Sequence, residues 1–157
     1  MMGFNIEGAS TLLQLADIPI HVQTDEAPWI QRTTGVATDS LVLHQSGDKV
    51  AVGEIEINLL HTPGHTPGSQ CFLVENMLIA GDTLFLEGCG RTDLPGSNPE
   101  QMFESLQLLS KLDDDVIVYP GHQYSIPKSM SMGEVRTTNY VFKPKTKDGW
   151  MQWFGGA

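Results

Sequence analysis

Three places in the 157-residue sequence end an apolar run on a glycine and follow it with a side chain able to bind a metal. They are "NLLHTPGH", ending on His65, "LIAGD", ending on Asp82, and "IVYPGH", ending on His122. A glycine lets the backbone turn sharply where a buried strand stops, so the next side chain leaves the sheet edge for a cleft there. Two imidazoles and a carboxylate make a mixed donor set that suits zinc or ferrous iron. Taken singly, a histidine after a Pro-Gly turn reads as a surface loop residue, and an aspartate after glycine as a turn or cap. The same delivery three times in order points instead to one shared metal site.

The first of these places writes its unit twice, "HTPGHTPGS", with His61 and His65 four positions apart. That spacing would align two imidazoles on a helix, but Pro63, Gly64, Pro67 and Gly68 exclude one. The stretch is therefore expected to be a rigid loop with two successive bends. The elements that position it are legible from periodicity. A short helix is expected over residues 8–16 behind Ser10 and Thr11, a strand over "IPIHV", and a helix from Thr24 through "TDEAPWIQR". "LVLH" and "EIEINLL" read as strands, the second with Ile55, Ile57 and Leu59 inward and Glu54, Glu56 and Asn58 outward. "SQCFLV" and "MLIA" follow as strands joined by a tight turn, and the apolar run Met77 to Ala80 predicts a central strand buried on both faces. Asn98 and Pro99 open a helix with the stripe Met102, Phe103, Leu106, Leu108 and Leu109. "VIVY" is a further buried strand, "MGEVRTTNYV" a helix, and "DGWMQWF" a last turn. The mixture of hairpins and covering helices makes a layered α/β domain.

A chain of this length fits a single domain over residues 1–157 that buries about 70% of its unfolded surface. Nine basic against nineteen acidic residues give a net charge of −10. With no Lys/Arg cluster, the electrostatic footprint of nucleic-acid binding is missing. No apolar run approaches a membrane span and the opening "MMGFNIEGAS" has neither the basic start nor the apolar core of a secretory signal, so a cytoplasmic protein is expected. Cys71 and Cys89 fit no zinc-ribbon spacing and are expected to be free thiols.

"HTPGHTPGS", "AGDTLF" and "YPGH" resemble successive signatures of the metallo-β-lactamase-fold superfamily, and "GDTLFLEGCGRTDLPGSNPEQMFESL" is similar to the branch holding glyoxalase II-type thioester hydrolases and persulfide dioxygenases. The resemblance runs from about residue 8 to the end. It implies an αββα sandwich in which His65 is a metal ligand, Asp82 the carboxylate that bridges two metals or completes a mono-iron site, and His122 the ligand of the second metal. Asp82 would also be catalytic, through the water it helps to place. His61 would not be a ligand. Sharing parity with Ile55, Ile57 and Leu59, it is expected to support the ligands or to pack.

The same family carries a T-H-x-H-x-D-H motif that supplies up to four ligands, and this sequence lacks it. The histidines are His21, His44, His61, His65 and His122, and no two lie two apart. The sequence therefore reads as an N-terminally truncated form of the fold, with a zinc or iron shell too incomplete for full occupancy. His21 and His44 are weak candidates to substitute.

Two readings stand for each remaining residue. Arg91 either holds an anionic substrate or forms a local ion pair with Asp93 that fixes its loop. Tyr124 either faces the substrate channel or is a buried, hydrogen-bonded tyrosine. Cys89 has no base beside it and is rejected as a nucleophile. The function implied is metal-dependent hydrolysis of a thioester or glutathione-derived small molecule by hydroxide held on the metal, impaired here by the missing ligands. The alternatives are an iron-dependent persulfide dioxygenase, or an inactive remnant that associates with other chains through an uncovered core.

Overall fold

The computed structural model describes residues 8–16 and 18–154. Helix α1 (Gly8–Leu15) leads to strand β1 (Ile20–Gln23), helix α2 (Ala27–Thr34) and strand β2 (Leu41–His44). Ser10 and Thr11 thus lie inside α1 rather than ahead of it. Strands β1 and β2 pair in parallel, Ile20 opposite Leu41 and Gln23 opposite His44, which the α2 crossover allows. Pro28 sits in the first turn of α2, where its missing N–H costs nothing. Thr24, expected to cap that helix, donates its hydroxyl to the His44 carbonyl instead, and Glu26 takes the cap position. Val22, Ala27, Ile30, Val36 and Leu41 form a small core between these elements.

The larger unit is a six-stranded sheet, β3 (Lys49–Val52), β4 (Ile55–His61), β5 (Gln70–Val74), β6 (Met77–Gly81), β7 (Ile117–Pro120) and β8 (Met130–Ser131), in spatial order as in sequence. Neighbours are antiparallel except β6 and β7, because helix α3 (Pro99–Leu109) crosses between them. Asn98 caps α3 as its sequence predicts, accepting the Gln101 N–H at 3.1 Å. Helix α4 (Met132–Thr138) opens with a reciprocal Ser131–Glu134 capping box. It ends earlier than its pattern suggests, because Asn139 leaves the helix to bond elsewhere and a 3-10 turn over Tyr140–Phe142 follows. Helix α5 (Lys147–Phe154) is a full element where a single turn was expected. Edge strand β3 was not anticipated, since "KVAV" is short and looks like the end of a turn. Among the described residues no helix is long and apolar enough to cross a membrane.

Helices α3, α4 and α5 all cover the same face of the sheet. Leu78, Ala80, Val118 and Cys71 point into it and are buried with Met102, Leu106, Leu109, Val135 and Trp150. The expectation for residues 77 to 80 is corrected here. Leu78 and Ala80 are fully buried, but Met77 and Ile79, on the opposite face, are 36% and 47% exposed. Ile55 is 51% exposed for the same reason, although Leu59 on its face is buried. The alternation assigns Ile55, Ile57 and Leu59 to a common face correctly. Burial needs a covering layer as well, and periodicity within a strand carries no information about it.

Trp150 anchors α5, with its ring 6.3 Å from that of Phe103 in α3 and 4.2 Å from that of Phe154. Truncation of so large a buried side chain leaves a cavity that neighbours fill only in part. Trp150→Ala should cost about 3–5 kcal/mol, read as a lower urea midpoint with an unchanged slope.

Candidate metal centre

Strands β4 and β6 are each antiparallel to β5, so they run the same way, and β7 runs with β6. Their C-terminal ends therefore meet at one edge of the sheet, and those ends deliver His65, Asp82 and His122. The His65 loop is clamped from two sides. On one, the Asn98 N–H donates to Gly64 O at 2.8 Å and the Ser105 hydroxyl to Pro63 O at 2.7 Å. Helix α3 comes so close that a Cβ on Gly64, whose φ is +140°, would lie 2.5 Å from the Met102 Cα, so only glycine fits. On the other side, the carboxylate of Glu26 accepts the Thr66 hydroxyl at 2.8 Å and the Gly68 N–H at 3.0 Å.

His65 Nδ1 lies 2.9 Å from the Arg91 carbonyl oxygen. A carbonyl only accepts, so Nδ1 carries the proton and the neutral ring keeps a lone pair on Nε2. That nitrogen faces Asp82 Oδ2 at 3.6 Å, while His122 Nε2 faces Oδ1 at 3.3 Å. Oδ1 is buried and has no hydrogen-bond partner. The His65 lone pair turned toward this partly buried carboxylate calls for a cation between them. The two N···O separations suit neighbouring ligands of one ion with bonds of about 2.0–2.1 Å. The residues present thus fit zinc or iron in donor type and spacing. They do so on opposite oxygens of Asp82, one histidine to each, and among the described residues no three donors surround a single point. Each position is short of the three protein ligands of an ordinary catalytic zinc.

The turn carrying Asp82 is held by a buried polar chain that the sequence did not announce. Cys71 stays a thiol, because burial pushes its pKa up to about 11, and it donates to Ala80 O at 3.5 Å. Thr62 Oγ1 then donates to Cys71 Sγ at 3.3 Å and accepts from Thr83 Oγ1 at 2.9 Å. The chain begins at Thr83 and ends at Ala80, whose oxygen also accepts the Thr83 N–H, so it closes around Gly81 and Asp82. It also ties that turn to Thr62, three residues before His65. Gly90 packs on the far side, where a Cβ would meet Asp82 O at 1.9 Å and the His65 Cβ at 3.1 Å. The loop beyond is fixed by buried Asn139, which accepts the Gly88 N–H at 2.8 Å and donates to Phe85 O and Gly88 O at 3.0 Å each. Hydroxyl and thiol groups at apolar strand ends were the available signal for Thr62, Cys71 and Thr83. Asn139, 57 positions from Asp82 in sequence, offered none.

The other expected residues sort themselves by contact. His61 donates from Nε2 to Pro67 O at 2.8 Å, within the loop that carries His65. It also lines a polar cleft with Gln23, Thr24, Asp25, Gln45 and Ser46, a cleft that includes none of the three metal-capable residues. Arg91 and Asp93 form a two-pronged ion pair at 2.8 and 2.7 Å, which raises the pKa of the arginine and lowers that of the aspartate. Tyr124 is 70% exposed, edge-on to Phe85 and 5.5 Å from the His122 ring, so it is not the buried tyrosine of the second reading. Burial pushes the Cys89 thiol up to about 12, which suits no nucleophile. His21 and His44 bond to each other at 2.8 Å, and His44 also to Asp48, rather than to Asp82.

Known proteins give this geometry a setting. The sequence model of the metallo-beta-lactamase superfamily matches residues 8–122. The chain is 36% identical over 110 residues to the "probable polyketide biosynthesis zinc-dependent hydrolase BaeB" of Bacillus velezensis, covering 69% of this chain and 49% of that protein. It is 35% identical over 99 residues to the hydroxyacylglutathione hydrolase of Aeromonas hydrophila, covering 63% and 38%. Among solved structures, ETHE1 from Myxococcus xanthus superposes with a TM-score of 0.72 at 27% identity, covering 96% of this chain and 76% of that one. The chain spans about half the length, or less, of the curated relatives it matches.

Replacing Thr83 by valine removes the donor on which Thr62 depends. Thr83→Val should cost about 1–3 kcal/mol in a urea melt of metal-free protein. It should also weaken zinc retention about tenfold or more in competition with a chelator, because the support of Asp82 is lost. Thr83→Ser should restore both.

Proposed function

The chain belongs to the metallo-beta-lactamase superfamily, and from that premise we propose that its site serves metal-dependent hydrolysis of a thioester, with a glutathione-derived acyl thioester as substrate class. The observation that carries the reading is Asp82, a partly buried carboxylate whose Oδ1 is buried and unpartnered, with a histidine nitrogen facing each oxygen. Asp82 with His65 on one side, and with His122 on the other, would hold an ion there. A divalent metal there supplies Lewis acidity and activates water for attack on an acyl carbon.

The chain's own residues supply the rest. The Arg91 carbonyl fixes the His65 tautomer, so that Nε2 presents its lone pair without a proton rearrangement. Asp82 contributes the charge that draws a cation into the edge. His122, more exposed than His65, lies on the open side next to the Phe85 and Tyr124 rings. Those rings offer an apolar wall to an acyl or thiol chain, and the exposed Tyr124 hydroxyl a hydrogen bond to a polar end. Because Asp93 already engages Arg91, anionic groups would meet the guanidinium through its remaining N–H donors. A second reading, iron-dependent oxygenation of a persulfide, is favoured by the structural likeness to ETHE1.

Affinity should be low, since each oxygen of Asp82 has one histidine. After exhaustive dialysis the chain should hold well under one zinc or iron per molecule by elemental analysis. With excess zinc it should cleave an S-acylglutathione, and Asp82→Asn should lower the rate at least 100-fold. Turnover that ignores both metal and Asp82 would refute the assignment. Turnover of glutathione persulfide with ferrous iron, without thioester cleavage, would select the second reading.

A further inference from the structure

Two histidines outside the metal edge are bonded directly to each other. On the parallel pair β1 and β2, His21 stands opposite Val42 and His44 opposite Gln23, so both imidazoles lie on one face, diagonally across the pair. His21 Nδ1 is 2.8 Å from His44 Nε2, and the other nitrogen of His44, Nδ1, is 3.3 Å from Asp48 Oδ2 on the turn between β2 and β3. The ring planes agree within 14° and the centroids are 5.0 Å apart, so with the facing nitrogens this close the rings lie end to end. Asp48, His44 and His21 thus form one line of hydrogen bonds. The other charged groups that neighbouring segments bring to this end of the pair are engaged elsewhere. Asp25 faces His61 of β4 at 3.9 Å, Lys49 bonds to Glu56, and Glu26 bonds to Thr66 and Gly68.

Two neutral imidazoles carry two ring protons and two lone pairs. A carboxylate only accepts, so His44 keeps its proton on Nδ1 and turns the Nε2 lone pair to His21, whose Nδ1–H fills it. The remaining lone pair is on Nε2 of His21, an exposed residue. A first added proton takes that place and leaves the bond between the rings intact. A second finds only the lone pair inside the bond, and two N–H groups would then face each other. We infer that the pair is a proton-limited latch on β1 and β2, closed with no added proton or with one and opened by the second.

The latch sits beside the link to the metal edge. The His44 carbonyl accepts both the N–H and the hydroxyl of Thr24, at 3.0 and 2.9 Å. Two residues further on, Glu26 holds the loop that carries His65. Parting of β1 from β2 therefore frees the segment from which that loop is clamped. Proton numbers alone set the direction. With both rings in water the open segment binds two protons in mild acid, where the closed pair holds one. Opening is then favoured as pH falls, by up to about tenfold in the opening constant per pH unit for a difference of one proton. Well above the histidine range neither state binds an added proton, and the dependence vanishes.

Hydrogen exchange on the metal-free chain at about pH 7.5, 6 and 5, a range above ordinary carboxylate titration, tests this. Opening constants come from the protection of amides in β1 and β2, with those of β5 and β6 as a control. The constant for β1 and β2 should rise about tenfold between pH 6 and 5, with no such rise in β5 and β6. His21→Asn puts an amide in the place of Nδ1, which donates or accepts by turning over and takes no proton, so the rise should vanish. Should His21→Asn part the strands at every pH, His44→Gln, whose amide takes the place of Nε2, makes the same test. No rise in the unaltered chain, an equal rise in the variants, or one shared by β5 and β6 would each overturn the inference.

Discussion

Everything at the functional edge depends on holding one carboxylate oxygen in a place that water does not reach. A carboxylate oxygen cut off from water is costly when no donor meets it, and Asp82 Oδ1 has none. The surroundings are built to tolerate the shortfall. The ring of hydrogen bonds from Thr83 through Thr62 and Cys71 to Ala80 prevents the turn from relaxing, and Gly90 denies it room to shift. A satisfied, rigid shell around an unsatisfied centre is how a structure keeps a site ready for a cation.

The position of the three metal-capable residues was legible because strand ends, glycines and metal donors are local in sequence. "NLLHTPGH", "LIAGD" and "IVYPGH" each encode where a strand stops and which donor side chain comes next. That the three ends meet depends on strand direction, which the sequence leaves open until the α3 crossover makes β7 parallel to β6. Asn98, Pro99 and the stripe behind them predicted α3 well, since cap chemistry is local too. The features that stayed hidden were non-local or carried by the backbone. The tautomer of His65 is set by the carbonyl of Arg91, an atom every residue possesses. Asn139 looks like any helix-ending polar residue until its bonds to the 85–88 loop are seen. Ile55, Ile57 and Leu59 were placed on a common face, while Ile79 was expected to be buried whichever way it pointed; whether a face is covered is decided by another element.

Charge adds a further layer to the chemistry. The surface carries an excess of acid, and the arginine nearest the site is paired with Asp93. An anionic substrate of the class proposed would therefore approach against the field of the protein, and its encounter rate should rise as salt screens that field. In the function proposed, local attraction would have to come from the cation at Asp82, so recruitment and turnover would depend on the same ion.

Glu26 belongs to the smaller unit, at the start of α2, yet its carboxylate accepts from Thr66 and Gly68 in the loop that presents His65. That shared hydrogen bonding makes the two units thermodynamically reciprocal. Whatever orders the His65 loop also favours docking of the two-stranded unit, and loosening that unit weakens whatever the loop holds, by the same factor in both directions. A segment with no metal donor in contact with Asp82 thereby shares in setting how firmly the His65 loop is held.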